Sequence, residues 1–220
     1  MKKIGLICLA LVLALGVLGV GFAHWSQEVV IEQEVTTGEV LVGVFGWQVH
    51  YEDKDACNVT VTHGEYKFSK LIDPFPPGAI IPGVGVYPYY ESAKITIDNL
   101  YPSLWIVEDF FIANAGTIPV KLQVTLNVTD PDGVYKHLDL RWKKYVFSDG
   151  VWTLHAEGMG KADVELPKLV AALEGEQLEP CETIFLWFDK HLQQEAPQGK
   201  TASLELKVNG IQWNMYGTPT

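Results

Sequence analysis

Six histidines, His24, His50, His63, His137, His155 and His191, are the natural place to look for chemistry, and their spacing argues against most of it. No pair falls in an HExxH arrangement, which would set two imidazoles and a general base on one helical face for zinc. His63-Gly64-Glu65 is the nearest approach and reads as a chance neighbourhood. There is no GxSxG elbow to expose a nucleophilic serine and no glycine loop to cradle phosphate. Carboxylates are plentiful, 27 in all, but spacing singles out no pair for glycoside hydrolysis. The acidic run "EDKDACN" (52–58) and the turn Asp130-Pro131-Asp132-Gly133 offer oxygen ligands without EF-hand spacing, and read as solvated turns. The residue types therefore predict no catalytic residue, no metal and no cofactor.

Seven tryptophans suggest stacking on sugars, yet Trp105, Trp142, Trp152, Trp187 and Trp213 lie in strand-like runs where packing is the commoner use. Two sequons, Asn58-Val59-Thr60 and Asn127-Val128-Thr129, mark Asn58 and Asn127 as glycosylation acceptors in a host that modifies asparagine. Cys8 lies in the N-terminal apolar stretch, which leaves Cys57 and Cys181 as an even pair and a candidate disulfide, with two separate thiols as the alternative.

These side chains are carried on a pattern of period two. In "IPVKLQVTLNV" (118–128), Ile118, Val120, Leu122, Val124, Leu126 and Val128 alternate with Lys121, Gln123, Thr125 and Asn127, the signature of a strand with one buried face. "TASLELKVNGIQW" repeats it, and "AKITIDNL", "WIVEDFFIAN", "RWKKYVF", "VWTLHA" and "ETIFLWF" add short β-rich runs between turn signals. Many short strands predict an all-β sandwich. "LPKLVAALEGE" from Leu166 predicts one short helix, and "DPFPPGAIIPGVGVYP" (73–88) a long ordered surface loop, because proline has no amide hydrogen for a ladder.

At the N-terminus, Met1-Lys2-Lys3 precedes an apolar run ending in Gly21-Phe22-Ala23, the pattern of a signal peptide cleaved after Ala23 or, one residue later, after His24. The run is also about long enough to remain as a membrane anchor. Cleavage would take the formal charge from −11 to about −13, since it removes two lysines and no acid. A chain so acidic has no footprint for nucleic acid or an anionic membrane. The expectation is a secreted or cell-surface protein organised as a signal peptide (1–23), an N-terminal strand (24–37) and one β-domain (38–220).

Several segments in order, the leader running into "AHWSQ", "TTGEVLVGV", "IDNLYPSLWIVEDFFIANAGTIPVKLQVTL" and "QGKTASLELKVNGIQW", resemble the TasA and camelysin family. The likeness covers about half the chain; Gln48 to Tyr90 and Asp132 to Leu178 lie outside it. It implies a jelly-roll sandwich, a leader handled by a signal peptidase of the SipW type, and a structural role. Relatives of this kind build extracellular matrix fibres or archaeal filaments by donating an N-terminal strand to the next subunit. A metalloprotease activity described for camelysin finds no zinc motif here to carry it.

The residues fit that implication. In "WSQEVVIEQEV", Trp25, Val29, Ile31 and Val35 share one face, while Ser26, Glu28, Glu32 and Glu34 share the other with Val30 as the exception. Gly38 follows as a candidate hinge. A donor strand and an acceptor groove are different surfaces, so the contact is head to tail and repeats into an open filament of copies of this chain. A monomeric secreted binding module, with glycans as ligand, is the alternative, and a secreted metallopeptidase a weaker one.

Overall fold

The computed structural model describes residues 12–13, 38–50 and 57–212. The donor-strand residues Trp25, Val29, Ile31 and Val35 lie outside these, as does most of the leader, of which Val12 and Leu13 are helical. The chain divides into two units between Thr37 and Gly38, and the second carries the sandwich. Among the described residues, no helix is long and apolar enough to cross a membrane.

Among the described residues, twelve strands form two sheets. They are β1 (Val42–His50), β2 (Asn58–His63), β3 (Tyr66–Ile72), β4 (Gly85–Tyr90), β5 (Ser92–Leu100), β6 (Trp105–Asn114), β7 (Val120–Thr129), β8 (Leu138–Ser148), β9 (Val151–Lys161), β10 (Gln177–Leu178), β11 (Thr183–Leu192) and β12 (Lys200–Gln212). Seven run in the order β3-β4-β1-β6-β11-β8-β9 and five in the order β10-β7-β12-β5-β2, all antiparallel. The architecture is the expected all-β, jelly-roll-like sandwich with one short helix.

The alternating strands face the inter-sheet core as their period requires. Val120, Leu122 and Val124 of β7 and Leu204, Leu206 and Val208 of β12 are buried, together with Ile95, Phe110, Ile112, Ile184, Leu186 and Phe188. β6 does not alternate: nine of its ten residues are buried, so both of its faces are covered. The second cover is a separate apolar cluster on the outer face of the seven-stranded sheet, built on Phe45, Phe111 and Phe185. The β3–β4 hairpin contributes Phe68, Ile72 and Tyr89 to it, and the intervening segment contributes Phe75 and Ile81. Phe111 and Phe185 stack at 4.9 Å, and Phe68 and Tyr89 at 5.0 Å. Residues 66–90 thus supply a third layer over part of one sheet.

Two boundaries differ from the sequence reading. The helix, α1, spans Ala162–Leu173 and so begins four residues before Leu166. Pro167 lies inside the helix, on the exposed side of the second turn. There it costs one backbone hydrogen bond without entering the core. Likewise, residues 85–88 of the proline-rich stretch are strand, not loop: Pro88 faces Ser69 of β3. β4 meets β1 only at Val44 and Tyr90, so on the side away from β3 Pro88 has no ladder for a missing amide to break.

Candidate functional site

β7 departs from its sequence pattern toward its C-terminal end. Its alternation predicted a buried face as far as Val128, yet Val128 is 41% exposed and Leu126 only partly buried. The cause is the short neighbour: β10 covers just Val120 and Lys121. The Leu122 amide donates to Glu176 O and its carbonyl accepts from Gly175, both at 2.9 Å, and the Val124 amide donates to Glu174 Oε2 at 2.7 Å. Even-numbered residues of β7 therefore point their amides and carbonyls away from β12, and the register on β12 runs unbroken to Thr129. At Leu126 and Val128 this outward row has no strand beside it among the described residues. The result is a short open sheet edge with apolar side chains at its inner face, the kind of edge that recruits a strand.

The N-terminal approach to the sandwich lies at the other end. β1 pairs Val42 with Asn114 and runs down to His50 opposite Ile106. Residues 39–41 continue alongside the β6–β7 turn: the Ala115 amide donates to Leu41 O (2.8 Å) and the Thr117 amide to Glu39 O (3.0 Å). Gly38 packs on Ile118 so closely that a Cβ would fall 1.9 Å from Ile118 Cγ2. Absence of a side chain is required there for approach. Asn114 fixes this end by donating through Nδ2 to Ile118 O (3.0 Å) and Leu178 O (3.1 Å). The open stretch of β7 begins six residues down the strand from Val120, about 20 Å away at ~3.4 Å per residue.

The candidate disulfide is not formed. Cys57 is buried beside Asn58, which pairs with Asp98 near the end of β5, whereas the Cys181 amide donates to Asn114 O at the far end of β6. Residues 101–104 link β5 directly to the start of β6, so the two cysteines stand at opposite ends of a ten-residue strand. That is about 30 Å, against a Cα separation of about 4.4 to 6.8 Å in a disulfide. Asn58 and Asn127 are both exposed, on β2 and β7 of the five-stranded sheet, and Asn127 donates to Glu205 Oε2 at 3.3 Å.

Among the described residues, no group of histidine, cysteine or acidic side chains could hold a metal. Asp130 of the Asp-Pro-Asp-Gly turn accepts from the amides of Val134 (2.7 Å) and Tyr135 (2.8 Å), so its carboxylate caps the following 3-10 turn. His63 bonds Gly46 on β1 and stacks on Tyr90 at 4.4 Å; burial lowers its pKa. Among the described strand tryptophans, Trp142 is fully buried, its indole donating to the buried Glu165 at 3.1 Å, while Trp152 and Trp187 are partly buried against the outer cluster. Trp105 donates to Asp189, Trp152 to Pro74 O (2.9 Å), and Arg141 and Lys143 lie over the Trp187 ring at 5.9 and 5.5 Å. Trp213 lies outside the described residues.

Spacing did not reveal the buried acids. Glu108 and Asp109 are adjacent on β6, fully buried, and point to opposite faces. Glu108 meets the Lys190 ammonium in the inter-sheet core at 2.5 Å. Asp109 lies under the third layer and accepts from the Ile80 amide at 2.6 Å. Burial, with Glu108 adding to it, raises the Asp109 pKa to about 8 against the pull of the Ile80 and Ile81 amides. Two acids inside an apolar run that is otherwise a strand were the available signal.

No family model, curated protein or solved structure matches this chain.

Proposed function

We propose that this protein is a non-enzymatic structural subunit that is exported, loses its leader and assembles head to tail into an extracellular filament. Residues 24–37 of one copy lie along the open edge of β7 in the next. The partner is a second copy of the same chain. The observation that carries this reading is the separation of the two surfaces: the chain leaves the sandwich at Gly38, while the uncovered Leu126–Val128 edge faces the opposite end. Fourteen extended residues can span about 46 Å, ample to reach a neighbour stacked end on end. The alternation of Trp25, Val29, Ile31 and Val35 with acids suits an edge that needs apolar side chains inward and charge outward.

The test uses two variants of the chain beginning at His24. Deleting residues 24–37 removes the donor. Val128→Pro removes an amide that points away from β12, so it blocks strand addition at an edge that tolerates proline. Both are expected to give the circular dichroism and cooperative melt of a folded β-protein and no filaments by negative-stain microscopy. Filaments from either variant, as long and as numerous as those of the parent, would refute the proposal.

A further inference from the structure

We infer that residues 73–84 form a pH-gated strap over the aromatic outer face of the seven-stranded sheet, latched through the Asp109 carboxyl while it holds a proton and loosened as it ionises. The strap leaves β3 at Ile72 and returns at Gly85, and polar contacts to neighbouring strands hold it. Trp152 Nε1 donates to Pro74 O at 2.9 Å, and the Ile80 amide donates to Asp109 Oδ2 at 2.6 Å. Asp109 has no exposed surface, and its Oδ1 has no hydrogen-bond partner among the described residues. Its cross-strand neighbours are Trp47 on β1 and Trp187 on β11, so indoles rather than polar groups stand on either side. Beneath the strap lie Phe45, Phe111 and Phe185, which its Phe75 and Ile81 help cover.

A carboxylate in that position keeps one oxygen bare in an apolar setting, which is expensive, whereas a neutral acid is tolerated. The charged neighbours give no relief. Glu108, on the same strand, points to the other face and acts in the same direction as burial. On β11, Asp189 is engaged by Trp105, and on β8, Arg141 and Lys143 reach the Trp187 ring. On the hairpin, Lys70 is held by Cys181, Glu182 and Thr183, Tyr87 donates to Gly83 O, and the Tyr89 hydroxyl is buried with its pKa raised. His63 of β2 stacks on Phe45 with its pKa lowered by burial, and the strap's own Asp73 is exposed. Opening the strap hydrates Asp109 and returns its pKa from about 8 toward the ordinary aspartate value. Linkage then sets the direction: a raised folded-state pKa holds the strap fully below about pH 4 and weakens it up to about pH 8.

Hydrogen exchange of the 73–84 amides, expressed as protection factors so that intrinsic exchange cancels, reads this directly. Protection is expected to fall by up to about tenfold per pH unit between pH 5 and 8 and to level off above. Leu204 and Leu206 in β12 should keep theirs. In Asp109→Asn, which retains an acceptor and cannot ionise, strap protection should stay high throughout. Protection independent of pH in the parent, the same loss in β12, or an unchanged slope in Asp109→Asn would overturn the inference. Should that variant not fold, confinement of the slope to the strap in the parent protein decides the matter.

Discussion

The ion pair at the centre of the sandwich sets up a quantitative prediction. Glu108 Oε2 and Lys190 Nζ are 2.5 Å apart, with side chains 0% and 1% exposed, on neighbouring strands β6 and β11. Glu108 Oε1 has no hydrogen-bond partner, and the buried Tyr135 hydroxyl, whose pKa is raised by burial and then by Glu108, has none either. Each charge is tolerable only because the other is present. Glu108→Leu strands an ammonium in the core and Lys190→Met strands a carboxylate, each at a cost of about 3 to 5 kcal/mol. For a domain of this size that lowers Tm by about 6 to 20 °C. The double variant replaces the pair with apolar side chains of similar volume, and should lie within about 1 kcal/mol of the parent or above it. Urea unfolding followed by circular dichroism, analysed as a double-mutant cycle, measures the coupling. Single variants that each cost under about 1 kcal/mol, or a double variant that costs the sum of both, would refute the reasoning.

Other consequences follow from the same packing. Gly158→Ala places a Cβ 2.2 Å from Glu165 Oε2 and 2.4 Å from Trp142 Nε1, so it should break the bond joining α1 to β8 and destabilise by about 2 to 4 kcal/mol, read by chemical unfolding. A thiol reagent followed by intact mass should label Cys181 at once in the native protein and Cys57 only on unfolding, with no change after prior reduction. Lys70 joins the β3–β4 hairpin to the carbonyls of Cys181 (2.5 Å) and Glu182 (3.2 Å) and to Thr183 Oγ1 (2.8 Å), and burial depresses its pKa to about 8. The unfolded chain then binds the extra proton between about pH 8 and 10, so stability should rise over that window, and the rise should vanish in Lys70→Met.

Period two made the sandwich legible, since β7 and β12 wrote their buried faces into alternate residues. β6 withheld that signal for a physical reason: with both faces covered, "WIVEDFFIAN" reads as an apolar run interrupted by Glu108 and Asp109, and the second cover comes from residues 66–90, distant in sequence. The cysteine pair misled because parity says nothing of distance, and β6 holds the two apart. At the candidate site, the alternation in residues 25–35 is legible in the sequence, and those residues lie outside the described ones. The open edge of β7 was not legible, because the exposure of Val128 depends on where β10 stops, and no local pattern records the length of a neighbouring strand.

The head-to-tail account stands or falls on mixing the two assembly variants. A chain lacking residues 24–37 can accept but not donate; a Val128→Pro chain can donate but not accept. Sedimentation of each alone should give a monomer, and of the equimolar mixture a 1:1 heterodimer that grows no further. A mixture that remains monomeric at concentrations where the parent polymerises would contradict the account.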